Sequence, residues 1–123
     1  MLIKQVKRVT VECSGDEWVD VEGFSITAPA GEQRAALLFM HAASVKANSA
    51  DPPRAKLRQV RDGVGIGAQW NTPTDGERGI VDHALIVTAD TIRKGGAPVY
   101  GLQVKGYGYP VEIVGLVGVL WNR

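Results

Sequence analysis

The two histidines are the residues of this chain whose type is best suited to metal binding or acid–base chemistry. His41 and His83 each lie in the middle of a run of β-branched and apolar residues, and Asp82 directly precedes His83. A metal site or an acid–base pair needs such groups to converge, whereas neighbouring residues of a strand point to opposite faces. No His-x-His or His-x-x-x-Glu spacing is present. We therefore expect no metal and no cofactor, with a cupin-like enzyme using His41 and His83 as the alternative.

No other catalytic group has the surroundings that its chemistry needs. The stretch GVGIG at residues 63–67 contains three glycines but lacks the spacing and the Gly-Lys-Ser/Thr ending of a phosphate-binding loop. No serine lies in a Gly-x-Ser-x-Gly context. The single Cys13 has no second cysteine with which to form an internal disulfide, and we expect a small, half-buried strand residue there. The sequence thus predicts a protein that is not an enzyme and has no catalytic residues.

Basic residues form two groups. One group lies near the N-terminus and is a candidate for docking onto an acidic partner surface: Lys4, Lys7 and Arg8. The other alternates along a predicted strand and so shares one strand face: Arg54, Lys56 and Arg58. We interpret this second group as a solvated face that discourages edge pairing, with a patch for an acidic protein or a glycan as the alternative. A net charge of +1 gives no reason to expect nucleic acid as a partner.

Two tyrosines are the aromatic residues most suggestive of a ligand site. Tyr107 and Tyr109 flank Gly108 at a predicted turn, where exposed rings are able to stack on a sugar. Rings that cap the end of a β-sandwich would give the same pattern. Tyr107 and Tyr109 are therefore a possible ligand loop, together with the loop at residues 71–79.

The chain carries no sequence signal for a membrane or for export. No apolar run approaches the ~18 residues of a spanning helix, and the first residues, MLIKQVKRVTVEC, lack the features of a signal peptide. We expect no membrane partner and synthesis in a cytosol. The length of 123 residues predicts one domain, residues 1–123, in which the strand or arm at residues 1–12 is available for docking.

The elements that must position these residues are strands. Short β-branched runs alternate with turn signals, which is typical of an all-β protein. Asp62-Gly63 is a strong two-residue hairpin signal between the runs at 57–61 and 64–70. Gly23 suggests a bulge within the run at 18–27. We predict eight antiparallel strands in a two-sheet sandwich of jelly-roll type, with an open meander or a small barrel as the alternative.

Two predicted strands are apolar on both faces, whereas a strand of a sandwich normally has a polar outer face. These are RAALLFMHAASVKA at residues 34–47 and VEIVGLVGVLW at residues 111–121. An uncovered second face would favour aggregation, so we predict a cyclic homo-oligomer in which identical subunits cover it. Gly115 and Gly118 would then permit close approach of the subunits. The predicted interface residues are Leu38, Met40, Val114, Leu116, Leu120 and Trp121.

From Arg34 to Arg123 the order of these patterns resembles the small jelly-roll modules of tailed-bacteriophage virion proteins. The stretches that carry the resemblance are RAALLFMHAASVKA, AKLRQVRDGVGIG, NTPTDG, IVDHALIVTADTIRKGGAPVYGLQVKGYG and VEIVGLVGVLWNR. The fold of these modules is similar to the trimeric jelly roll of the tumour-necrosis-factor and complement type, in which the terminal strand lies near the three-fold axis.

The resemblance implies a non-enzymatic structural protein of the virion, made in the host cytoplasm. It implies a homotrimer that acts as a capsid decoration or cement protein, or as a component of a head or tail fibre. Its expected partners are other virion subunits, such as the major capsid or tail protein. The alternative is a module of the phage tail that binds a host-surface glycan or receptor.

Overall fold

The computed structural model describes residues 2–13, 15–47, 55–71, 82–106 and 110–121; for residues 2–8, 41–47, 70, 71 and 82–84 it describes the backbone only. The described residues form nine strands and no helix. In chain order the strands are β1 (Leu2–Val11), β2 (Val19–Asp20), β3 (Ile26–Thr27), β4 (Arg34–Ala47), β5 (Lys56–Arg61), β6 (Val64–Asn71), β7 (Asp82–Ile92), β8 (Val99–Lys105) and β9 (Val111–Trp121).

The strands build two antiparallel sheets. The first sheet has the order β1-β9-β4-β7, and the second sheet has the order β2-β8-β5-β6, with β3 also paired to β8. The chain passes from one sheet to the other between β1 and β2, between β3 and β4, between β4 and β5, between β6 and β7, and on either side of β8. This strand order is that of a jelly roll. The predicted all-β antiparallel sandwich is therefore confirmed.

The predicted strand at residues 18–27 is interrupted, which accounts for nine described strands instead of the eight expected. Gly23 has a φ of 88° and occupies a turn with Glu22, where a bulge was expected. The two short strands on either side of this turn, β2 and β3, both pair with β8. They thus occupy one position in the second sheet, and eight strand positions remain.

The β5–β6 hairpin forms where the sequence predicted it. Asp62 and Gly63 have φ values of 51° and 82°, as a two-residue turn with positive φ at both positions requires. The turn is also tied to the start of β8, because Asp62 N donates to Val99 O at 2.8 Å and Val99 N donates to Asp62 Oδ1 at 2.9 Å.

The core lies between the two sheets and is built from one face of each central strand. One face of β8 points inward, since Tyr100, Leu102 and Val104 are almost fully buried. In the first sheet the inward residues have even numbers in β4 and odd numbers in β9, because Leu38 is paired with Val119. Cys13 is also buried in this core, and burial raises the pKa of its thiol. A protonated, buried thiol is a weak nucleophile.

Polar contacts join β7 to the second sheet. Gln59 of β5 is fully buried, and its Nε2 donates to Ile86 O at 3.1 Å while its Oε1 accepts from the Thr88 hydroxyl. Asp90 of β7 accepts hydrogen bonds from Tyr100 Oη and from an Arg61 guanidinium nitrogen, each at 2.6 Å. β7 therefore points polar residues toward the core, and its other face is the outer one.

Candidate functional site: an exposed apolar face

The outer face of the first sheet carries a continuous set of large apolar side chains, which we call the apolar face. Four of them are exposed by 40% to 70% of their surface: Leu37, Leu85, Val87 and Leu120. Three more are partly exposed: Phe39, Val114 and Leu116. They come from three neighbouring strands, β9, β4 and β7.

Strand register brings these side chains together. Leu37 of β4 is paired with Leu120 of β9, and Phe39 of β4 is paired with Val87 of β7. Residues that are directly opposite in an antiparallel pair lie on the same face, with Cβ atoms about 4.5–5.5 Å apart. The apolar face is consequently a single surface across three strands, held by regular pairing.

Gly118 fixes the position of the aromatic ring on this face. A Cβ atom at Gly118 would lie 2.7 Å from Phe39 Cε2 and 2.8 Å from Phe39 Cε1. The Phe39 ring therefore lies across β9 in the space that a side chain at position 118 would fill. The prediction that Gly118 makes room for a second subunit is wrong, because this chain's own ring occupies that room.

Three of the six predicted interface residues lie on the apolar face, and three do not. Leu38 and Met40 are fully buried between the sheets, so the prediction that they contact another subunit is wrong. Trp121 is also on the inner side, where it packs against the core with the Arg34 guanidinium 5.5 Å from its ring centroid. Val114, Leu116 and Leu120 face outward, as an interface requires.

Four residues of the apolar face were missed by the sequence analysis: Leu37, Phe39, Leu85 and Val87. The signal for Leu37 and Phe39 was present, because the alternation of β4 separates them from Leu38 and Met40. In β7, Leu85 and Val87 alternate in the same way with the even-numbered residues, which include Thr88 and Asp90. The alternation does not say which of the two faces is the outer one.

The roles predicted for the remaining site residues are still predictions. Lys4, Lys7 and Arg8 belong to β1, which pairs with β9 at the edge of the first sheet and has a register shift between Val6 and Val9. The segment is thus a sheet strand, but the side chains of Lys4, Lys7 and Arg8 are outside the described residues. Tyr107, Tyr109 and Arg54 also lie outside them.

The described side chains offer no metal centre. Among them, no group of three or more histidine, cysteine, aspartate or glutamate residues converges as a metal site would require. The side chains of His41 and His83, which the cupin-like alternative needs, are not among those described. Their role stays a prediction.

An open depression of about 820 Å³ lies at one end of the sandwich, beside the Arg61–Asp90 ion pair. Burial by itself raises the pKa of Asp90, but the hydrogen bonds from Tyr100 and Arg61 outweigh it and hold this pKa below its usual value. Burial, followed by the hydrogen bond to Asp90, raises the pKa of Tyr100. Because these polar groups satisfy one another, we interpret them as a structural link between the sheets.

Comparison with known proteins gives no family for the chain. No protein-family model matches it, and no curated protein matches it. Among solved structures, the chain is similar to the Eiger TNF of S. frugiperda, with a TM-score of 0.42 and 9% sequence identity over 92% of this chain and 88% of that one. The assignment of the fold is therefore based on the strand order and pairing described above. The described part of the chain contains no helix long and apolar enough to cross a membrane.

Proposed function

We propose that this protein is a non-enzymatic structural protein that assembles with copies of itself through the apolar face. The observation that carries the proposal is the exposure of Leu37, Leu85, Val87 and Leu120 on neighbouring register positions of one sheet. Scattered exposed apolar residues are ordinary on a protein surface, but a continuous set of this size marks an interaction surface.

Covering this face would contribute favourable free energy to an assembly. The exposed fractions of the four aliphatic residues, 40%, 70%, 51% and 45%, together equal about two fully exposed side chains. Their burial would contribute roughly 3–6 kcal/mol for each subunit. The partly exposed Phe39, Val114 and Leu116 would add to this. A second copy is the occupant we propose, because most soluble oligomers are assemblies of identical subunits with closed symmetry.

We propose a homotrimer that forms part of the virion of a tailed bacteriophage. What supports this context is the resemblance of residues 34–123 to small jelly-roll virion modules. In this proposal the trimer is a capsid decoration or cement protein, or a head or tail fibre component, and it binds the major capsid or tail protein. It is made in the host cytoplasm and acts in the virion.

The test is the solution mass of the purified protein by light scattering over a series of concentrations. We expect a trimer for the wild type and a folded monomer for Leu85→Ser/Val87→Ser, because these residues are the two most exposed on the apolar face. The matched control is Val64→Ser/Val99→Ser, which removes two exposed valines near the β5–β6 turn and should leave the trimer intact. A wild-type protein that remains monomeric at micromolar concentration would refute self-assembly.

A further inference from the structure

The outer face of the second sheet, on the other side of the sandwich from the apolar face, carries an ordered polar row. Gln103 Nε2 donates to Asp20 Oδ1 at 2.8 Å, and Arg58 Nε donates to Gln103 Oε1 at 2.9 Å. These three residues come from β2, β8 and β5, and their register places Gln103 opposite both Asp20 and Arg58. The guanidinium of Arg58 is thereby held in one orientation.

A second row of side chains lies beside the first and is positively charged. Lys105 of β8 is directly opposite Lys56 of β5. The Trp18 ring lies on the other side of Lys105, with its centroid 4.7 Å from Lys105 Nζ and 4.4 Å from Arg58 Cζ. We call Lys56, Arg58 and Lys105 the cationic cluster.

The cationic cluster is not explained by the stability of the fold. Like charges that are directly opposite on neighbouring strands are destabilising. Among the residues that the structure describes, the ion pairs are Arg61 with Asp90 and Lys94 with Glu32, and none involves the cluster. The Trp18 ring offsets part of the repulsion by attracting two of the cations. This arrangement keeps the charges together and fixes two of them before any ligand arrives, which lowers the entropic cost of binding.

The surroundings of the cluster favour a hydrophilic polyanion over a folded protein. Protein interfaces have an apolar centre with a few anchoring side chains. The exposed large apolar residues of the described chain lie elsewhere, on the apolar face or, as Val64 and Val99, beside the β5–β6 turn. Val60 shares this face of β5 with Lys56 and Arg58 but is buried, and Gly65 and Gly101 opposite it add no side chain.

We propose that the cationic cluster binds an acidic polysaccharide, with a carboxylate or sulfate group seated between Lys56 and Lys105. An extended polymer is able to run along a sheet surface, and the Trp18 ring, which is partly exposed, is available for contact with a sugar. The site is on the opposite sheet from the apolar face. It therefore remains accessible in the proposed oligomer and does not depend on that oligomer being formed.

The experiment measures binding of the full chain to alginate and to dextran sulfate by titration calorimetry, with neutral dextran as the uncharged control. We expect binding to an acidic polysaccharide that weakens with added salt and no binding to dextran. Lys56→Gln/Lys105→Gln should weaken binding at least tenfold. The matched control, Arg93→Gln/Lys94→Gln, removes two positive charges from the β7–β8 turn and should change the affinity less than twofold. Circular dichroism confirms that each variant is folded.

Three results would overturn the proposal. The first is no binding to either acidic polysaccharide at about 0.1 M salt, where charge interactions still act over ~10 Å. The second is an equal loss of affinity in the two double variants, which would indicate a response to net charge alone. The third is binding of polyglutamate or of duplex DNA that is as tight as binding of the polysaccharides. That result would assign the cluster to acidic protein segments or to nucleic acid.

Discussion

Filling the space at Gly118 should displace the Phe39 ring and lower the stability of the protein. In Gly118→Ala the new Cβ would lie within 3 Å of three ring atoms of Phe39, closer than carbon atoms approach in folded proteins. Gly118 is not among the described residues with positive φ, so the backbone accepts alanine. The ring, which is only partly buried, must move outward from β9.

The size of the effect follows from what the displaced ring loses. Inserting a methyl group into a packed site costs typically 1–3 kcal/mol. Phe39 lies at the surface and has room to pivot, so we expect the lower part of that range, about 1–2 kcal/mol of unfolding free energy. With the ring removed, as in Phe39→Ala, the same Gly118→Ala change should be neutral or stabilising by up to ~1 kcal/mol, because alanine restricts the unfolded chain.

The assay is a double-mutant cycle measured by urea unfolding of the wild type, both single variants and the double variant. All four proteins are compared at one concentration, since self-association would make apparent stability depend on concentration. We expect a coupling energy between positions 39 and 118 of about 1–3 kcal/mol, which is typical of residues in direct contact. A coupling energy within 0.3 kcal/mol of zero would refute the placement of the Phe39 ring over β9.

Two further predictions concern the link between the sheets and the hairpin turn. The pKa of Asp90 is lower in the folded state than in the unfolded state. Its contribution to stability is therefore present above the unfolded-state pKa of about 3.9 and is lost as pH falls through the folded-state pKa. Asp90→Asn should therefore lower the free energy of unfolding by roughly 1 kcal/mol at pH 7. It should also flatten the fall in stability between pH 4 and pH 2. The same dependence of thermal unfolding on acid pH in variant and wild type would contradict this prediction. Gly63→Ala places a side chain at φ 82° with no atom within 4 Å of the new Cβ. The substitution should therefore lower the free energy of unfolding by about 1–2 kcal/mol through backbone strain alone. Equal midpoints of urea unfolding for variant and wild type would show that this strain is absent.

Local patterns were sufficient to predict the strands and the tightest turn. Asp62 and Gly63 both adopt positive φ values, and an Asp-Gly pair favours this conformation because of its own backbone preferences. Within the dense β-branched run at residues 80–93, Asp82–Ile92 form β7, in keeping with the all-β pattern of the sequence. The interruption at Gly23 was placed correctly, but its form was not, since a bulge and a turn have the same glycine signature.

About half of the candidate interface was predictable from the sequence. The prediction of an interface came from strands that are apolar on both faces, and it named Val114, Leu116 and Leu120, which the structure places on the outer face. The same reasoning chose Leu38 and Met40 from β4, because either face of that strand is apolar enough to be buried. Pairing of Leu38 with Val119 sends both inward together, and pairing is a property of two strands separated by about 80 residues of chain.

The sequence by itself determined that this protein is made of strands, where the chain turns, and that some strands carry more apolar surface than one core needs. Only the tertiary structure decided which of these apolar strand faces remains outside the core. In β7 the more polar face is the inner one, since Thr88 and Asp90 point inward while Leu85 and Val87 face outward. The inward polar groups are tolerated because Gln59, Tyr100 and Arg61 of the second sheet supply their hydrogen bonds. Partners contributed by another sheet are not visible in the residues of a single strand, and this is why the apolar face could be located only after the two sheets were placed together.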